Sequence, residues 1–319
     1  MLSSLCRGGI SMNIRGINTT CSSSNLIPIA LPSPRETHFW YVIPDEVKDA
    51  SLLSRYLHLL SPCEKENVFR MQGDNLQKRA LLARTLVRTT LARYTNSLVS
   101  PSSLKFRKNT FGKPEVEWPF DKNWDPPSLH FNLSHTSSLI ACGVTVDMMI
   151  GIDVEEKQRQ TKNDLLSFAR RYFSPAEVDY LDGFPDPEVQ RHGFIKLWTL
   201  KEAYVKALGK GFSASPFKTF TIRFKGCNES RLQMSRDSNY EYEASEIEVA
   251  PHGDLLSTNW KFALFELVNS HYAAICVENK IREGDHIDAL KVKVWKTLPL
   301  VKDEIVSATD SIRPIAGFA

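Results

Sequence analysis

A four-residue phrase recurs in this chain at the spacing of a domain. Ser61-Pro62-Cys63-Glu64 returns 113 residues later as Ser174-Pro175-Ala176-Glu177. Each reads as the start of a helix. The serine can cap it, the proline suits its first turn, and the glutamate three residues on completes a capping box. Caps of this kind also recur by chance. A chain of 319 residues nonetheless has room for two similar halves, at about 150 residues per domain.

Lys plus Arg number 40 and Asp plus Glu 37, a net charge of +3. That balance excludes a general nucleic-acid binder, which needs a concentrated basic stripe. The hydrophobic share of 42% and charged share of 24% are ordinary globular values, which excludes disorder throughout, collagen and coiled coil. No run approaches the roughly 18 apolar residues of a membrane span. Cys6, Cys21, Cys63, Cys142, Cys227 and Cys276 are scattered, with no Cys-x-x-Cys pair, and read as reduced thiols. The first acid is Glu36, while Arg7, Arg15, Arg35 and seven serines precede it. Such a segment reads as an organellar transit peptide, with a plain disordered tail as the alternative. Residues 1–36 are therefore expected outside the fold, which begins with the strand Thr37–Val42.

Helical spacing covers Asp45–Leu60 and Asp74–Tyr94. The second helix turns Leu81, Leu82, Leu86, Val87 and Leu91 inward. It carries Lys78, Arg79, Arg84, Arg88 and Arg93 on the other face, as a solvated surface or a phosphate site. A turn-rich stretch, Ser97–Pro127, contains Gly112-Lys113-Pro114. Strands are expected over Ser128–Leu133, Leu139–Val146 and Ile150–Val154, then helices over Leu165–Tyr172 and Glu188–Gly209. Phe217–Phe224, Tyr240–Val249, Trp260–Leu267 and Tyr272–Val277 read as an antiparallel sheet, and 281–319 as a tail.

Three clusters can carry chemistry. In Gly151-Ile152-Asp153-Val154-Glu155, strand alternation turns both acids to one face and the apolar pair to the core. Neighbouring carboxylates repel, which favours a bound cation, and hard oxygen donors suit Mg²⁺. The plainer alternative, a strand end whose acids meet solvent, is the commoner fate of an isolated Asp-x-Glu. In the helix from Trp198 to Gly209, residues Trp198, Glu202 and Lys206 share a face. There Glu202 is either a third metal carboxylate or half of an exposed ion pair with Lys206. Ser134-His135 follows a strand. It lacks the elbow of a nucleophile, and offers donors to phosphate oxygens or merely faces solvent.

The order of these motifs adds what none gives alone. Gly-Lys-Pro, Phe-Asn-Leu-Ser-His, Gly-Ile-Asp-Val-Glu, Phe-Ser-Pro-Ala-Glu and Trp-x-x-Lys-Glu-Ala-x-x-Lys-x-x-Gly-x-Gly run in series over about residues 40–280. The series resembles the 4′-phosphopantetheinyl transferase superfamily, and the length resembles its surfactin-type branch, with two repeats in one chain. The resemblance implies an α+β fold of two similar subdomains related by a pseudo-two-fold, with the active site in the cleft between them. The halves would be 37–147 and 148–280. It implies transfer of the phosphopantetheine arm of coenzyme A to a serine of an apo acyl-carrier or peptidyl-carrier protein, with release of adenosine 3′,5′-bisphosphate. Asp153, Glu155 and Glu202 would hold Mg²⁺, and Lys206 would neutralise the pyrophosphate. Ser134 and His135 would contact phosphate, Gly112, Lys113 and Pro114 would lie beside the adenine and its ribose phosphate, and Arg79 and Arg84 would help hold the 3′-phosphate. Glu202 is the candidate general base, with Glu155 acting through water as the alternative.

A monomer without nucleic-acid or membrane partners is expected, with a mitochondrial address and plastid stroma or cytosol as alternatives. Two rival readings stand beside this one. A Mg²⁺-dependent nucleotide-pyrophosphate hydrolase would use the same acids, although its Arg-Glu-x-x-Glu-Glu helix is absent. An adaptor would bind acidic helical partners through the Arg79–Arg93 face.

Overall fold

A computed structural model describes residues 26–34, 36–118, 124–160, 164–211, 215–224, 242–243, 247–251, 260–279, 290–307, 309–315 and 317–318. The expected transit segment falls outside these residues up to position 25. From Leu26 onward the chain already lies on the first core, where Leu26 and Ile29 pack and the Ile29 N–H donates to the Arg93 carbonyl at 3.2 Å.

The first half runs β1 (Glu36–Val42), a 3-10 turn (Pro44–Glu46), α1 (Ala50–Leu59), α2 (Pro62–Phe69), α3 (Asp74–Arg93), β2 (Lys105–Lys108), β3 (Pro114–Glu117), β4 (Leu129–His135) and β5 (Ile140–Val146). The second runs β6 (Ile150–Glu156), α4 (Leu165–Tyr172), α5 (Pro175–Asp182), α6 (Pro187–Leu208), β7 (Phe220–Phe224), β8 (Tyr242–Glu243), β9 (Ile247–Pro251), β10 (Trp260–Leu267) and β11 (His271–Glu278). Three strands follow: β12 (Lys291–Leu298), β13 (Lys302–Ile305) and β14 (Ile312–Pro314). The helix expected from Asp45 starts later because Asp49 caps it, accepting from the Ser51 N–H at 2.8 Å.

Two sheets stack face to face. One has the order β13-β12-β1-β5-β4, with β8 also on β12, and the other β14-β10-β11-β6. Between them Phe39 and Tyr41 of β1, Ile152 and Val154 of β6, Phe265, Ile275 and Val294 close one apolar core. The outer face of the first sheet presents Trp40 and Val42 to α1 and α3. The second presents Ala274 and Cys276 to α6. The result is a mixed α+β fold of four layers, helices, sheet, sheet, helices, in two subdomains.

The tail expected over 281–319 is corrected from residue 290, where the described residues resume. They belong to the sheets: β12 pairs in parallel with β1, from Glu36↔Lys291 to Tyr41↔Lys296, and β14 pairs with β10. The alternation Lys291-Val292-Lys293-Val294 turns the valines inward, where both are fully buried.

Both Ser-Pro-x-Glu phrases are complete capping boxes. Each glutamate also takes a buried cation from the long helix, 24 residues on (64 to 88, 177 to 201). Arg88 reaches Glu64 at 2.6 Å and the Pro101 and Leu104 carbonyls at 2.7 and 3.0 Å. Lys201 reaches Glu177 at 2.8 Å and the Phe217 and Phe220 carbonyls at 2.8 and 2.7 Å. Arg93 is buried too, on Asp303 at 2.7 Å. The expected basic face of α3 thus loses Arg88 and Arg93, whose charges are needed inside.

Candidate active site

The site forms where the edges of the two sheets meet. One edge of β6 pairs with β11, and the other faces β4, the outermost strand of the first sheet. Side chains of β4 stand in for a ladder there. Asn132 Oδ1 accepts from the Ile152 N–H at 2.9 Å, and Ser134 Oγ accepts from the Val154 N–H at 3.2 Å. The two residues share a face because they are two apart on a strand.

Gly151 brings α6 against β6. A Cβ there would collide with the Ala203 carbonyl and the Ala207 nitrogen, so only glycine lets helix and strand touch. Gly151, Asp153 and Glu155 share the face turned to α6. Lys206 Nζ consequently meets Asp153 Oδ1 at 2.6 Å and Ser134 Oγ at 3.1 Å, while Ser134 donates to the same Oδ1 at 2.9 Å. The other oxygen, Oδ2, is buried with no hydrogen-bond partner among the described residues.

Burial, then the charge of Asp153, pushes Glu202 up to about 7, against the pull of Lys206 and Arg159. The same two causes, with Glu202 added, push Glu155 up to about 7. Burial presses the Lys206 ammonium down, but Asp153, Glu202 and Glu155 outweigh it and hold it above the ordinary lysine value. Desolvation comes first in raising both glutamates, and the neighbouring carboxylates add to it.

Among the described residues, no group of three carboxylates, imidazoles or thiols is drawn tightly enough to hold a metal ion as it stands. Asp153 is clasped by Lys206, and Glu155 by Arg159, whose guanidinium also lies 5.3 Å from the Trp198 ring centre. Both carboxylates are thus paired with side-chain cations. The donor set still suits a hard divalent ion: three carboxylates electrostatically coupled to one another, with one buried oxygen unused.

His135 ends β4 at the surface, and its imidazole is held below the usual value by burial and then by Lys206, Arg79 and Arg84. Arg79 and Arg84 of α3 and Lys206 of α6 are the cations whose charge reaches it. Two expectations differ from the structure. Ser134 is buried and committed to Asp153, Val154 and Lys206, because the β4–β6 junction needs its hydroxyl. Lys113 is likewise turned inward. Its Nζ donates to the carbonyls of Ile150 at 2.7 Å, Lys206 at 2.8 Å and Ala207 at 3.5 Å, and burial pushes it down to about 8. Gly112 turns the β2–β3 hairpin at φ +91° and Pro114 opens β3 at the surface. Asn132 and Arg159 were missed in the sequence. The same-face spacing of Asn132 and Ser134 is the available signal for the first; the second has none, because Arg159 reaches Glu155 only through the turn after β6.

Residues 149–276 match the family model of the 4′-phosphopantetheinyl transferase superfamily, and residues 48–145 match that of the 4′-phosphopantetheinyl transferase N-terminal region. The two stretches meet at the β5–β6 turn. The 4′-phosphopantetheinyl transferase HetI of Nostoc is 34% identical over 178 residues, 56% of this chain and 70% of that protein. The 4′-phosphopantetheinyl transferase Sfp of Bacillus subtilis is 30% identical over 197 residues, 62% of this chain and 80% of its own. A phosphopantetheinyl transferase of Thraustochytrium is 27% identical over 253 residues, covering 76% and 77%. With a half-buried carboxylate cluster at the junction of two matched regions and relatives covered over most of their length, this chain belongs to the 4′-phosphopantetheinyl transferase superfamily.

Proposed function

We propose that the chain is a 4′-phosphopantetheinyl transferase of the single-chain surfactin type. It moves the phosphopantetheine arm of coenzyme A to a serine of an apo carrier protein and releases adenosine 3′,5′-bisphosphate. The observation that carries the reading is Asp153, with Oδ1 clasped by Lys206 and Ser134 and Oδ2 buried and unused beside Glu155 and Glu202.

Asp153, Glu155 and Glu202 would hold Mg²⁺, which neutralises charge on the coenzyme A pyrophosphate when bound. Lys206 adds a second positive charge where the leaving bisphosphate gains a negative one. Arg79, Arg84 and His135 would help hold the outlying phosphate, since the charges of both arginines reach the imidazole. The carrier's serine oxygen forms a bond to the phosphorus of the arm, the bond to the bisphosphate breaks, and the serine proton passes to a carboxylate. Glu202, presented from α6 beside Asp153, is the carboxylate proposed to take it, directly or through water, with Glu155 as the alternative. A fatty-acid carrier of the mitochondrion is the client and address that fit the Arg- and Ser-rich start of the chain. Both halves lie in one chain, so a monomer suffices.

The test is intact-mass measurement of apo carriers after incubation with the protein, coenzyme A and Mg²⁺. A gain of one phosphopantetheine unit is expected. Release of bisphosphate without any carrier would instead identify a pyrophosphate hydrolase. Binding of an acidic helical partner with no change in its mass, and no need for Asp153, would identify an adaptor.

A further inference from the structure

The β2–β3 hairpin belongs to the first half, yet its turn grips the second. Asn109 Oδ1 accepts from the backbone N–H groups of Phe111 and Lys113 at 2.9 Å each, which shapes the turn. Asn109 Nδ2 then donates to the Gly209 carbonyl at 3.2 Å. Lys113 Nζ donates to Ile150, where β6 begins, and to Lys206 and Ala207, where α6 ends. One ammonium so ties together the strand that carries Asp153 and Glu155 and the helix that carries Glu202 and Lys206. A cation among the last carbonyls of a helix is placed where the helix dipole is negative. Gly209, in the left-handed region at φ +65°, lets this happen, since a Cβ there would stand 3.1 Å from Lys113 Cδ.

The first half shows what the device replaces. At the corresponding turn of α3 the Arg93 carbonyl is capped by the main-chain N–H of Ile29, at 3.2 Å. In the second half the equivalent carbonyl, that of Lys206, is held by a side chain from the other subdomain.

We infer that Lys113 is a positioning residue for the transfer. Its ammonium fixes the end of α6 against the start of β6, and so sets the distance from Lys206 Nζ to Asp153. This rests on the function proposed above. It assigns Lys113 a role through the Lys206 backbone rather than a direct contact with a coenzyme A phosphate. The hairpin turn becomes the element through which the first half controls alignment in the second.

The experiment compares the wild type with Lys113→Met, which keeps the stem and removes the charge. It uses coenzyme A or dephospho-coenzyme A with an apo carrier, and hydrogen exchange at the Gly209 amide. We expect kcat to fall about tenfold or more, within the range that small misplacements produce. KM for coenzyme A and the preference over dephospho-coenzyme A should stay unchanged, and the Gly209 amide should exchange faster. A raised KM with kcat retained and the preference lost would overturn the inference in favour of a direct phosphate contact. A lowered melting temperature with kcat and KM both unchanged would overturn it in favour of a purely structural role. Should Lys113→Met not fold, Lys113→Arg keeps a cation on the same carbonyls but lengthens it, and carries the same comparison. Failure of the wild type to transfer anything would refute the proposed function instead. The exchange rate at Gly209 would then still test the clamp, with unchanged protection overturning it.

Discussion

Laid over each other at an offset of 113, the two halves share a frame and differ at a few side chains. Ser61 and Glu64 fall on Ser174 and Glu177, Arg88 on Lys201, and Arg93 on Lys206. On the strands, Phe39 and Tyr41 fall on Ile152 and Val154, all in the core between the sheets. The opposite faces then pair Trp40 with Asp153 and Val42 with Glu155. In the second half a lysine meets a carboxylate at 2.6 Å. In the first, Arg93 lies 5.3 Å from the Trp40 ring, which Trp295 stacks at 4.6 Å, and turns its charge to Asp303. The strand edges differ as well. β1 is paired on both sides, by β12 and β5, whereas β6 leaves one edge to the side chains of β4. The same strand-and-helix frame therefore carries an aromatic core in one half and a carboxylate–lysine cluster in the other, and the choice is made by which side chains fill the face turned to the helix.

Breaking the comparison at the chemical half should have the largest effect. Asp153→Ala or Glu202→Ala should lower transfer by about 10³-fold or more, roughly 4 kcal/mol of barrier, with the melting temperature little changed. Full activity of either variant with Mg²⁺ present would remove the metal assignment. The counterpart, Trp40→Ala, should instead cost about 3–5 kcal/mol of stability in urea unfolding. The buried pairs come next. Glu177→Ala leaves Lys201, which is wholly buried, with two carbonyls and no counter-charge, and should cost about 3–5 kcal/mol. Glu64→Ala leaves Arg88 with two carbonyls as well but should cost less, since Glu64 is partly exposed and water can reach the vacated place. Equal losses would mean that the two pairs are energetically alike. Lys206→Ala should raise KM for coenzyme A about tenfold, the value of one charge-assisted contact. An unchanged KM would deny Lys206 its part in neutralising the pyrophosphate.

The smallest effect concerns acid. Burial pushes the Glu36 carboxyl up, but bonds from His38, Lys293 and Ser33 prevail and hold it well below the ordinary 4.5. A carboxyl depressed in the folded state contributes stability that is present above its unfolded value and is lost as pH falls further. Glu36→Gln should flatten the decline of melting temperature below about pH 4.5, where the wild type loses that contribution. A decline as steep as the wild type's would detach this network from acid unfolding.

Much of this was legible in the chain. The strand read over Ile150–Val154, which the structure extends to Glu156, and the i, i+4 spacing of Glu202 and Lys206 follow from local periodicity, and both hold. So do both caps, whose partners lie three residues away. What periodicity cannot carry is a partner far along the chain. Arg88 and Arg93 look like any surface cations until Glu64, Asp303 and three carbonyls are brought to them. Lys113 looked like a ligand for phosphate because nothing near it in sequence reveals the carbonyls of 150, 206 and 207. Strand β12 reads as tail in the sequence because its partner, β1, lies at the far end of the chain.

That pairing bears on synthesis. The opening strand of the first subdomain, β1, stays exposed along one edge until residues 291–298 have left the ribosome, and β14 completes the other sheet later still. A product stopped short of position 291 would display an apolar strand edge with no neighbour, and neither half could be expressed as a self-sufficient fragment. Assembly of the site is thereby tied to residues 291–298 and 312–314, far along the chain from Asp153 and Glu202, so a stop codon before position 291 should abolish activity although both acids have been made.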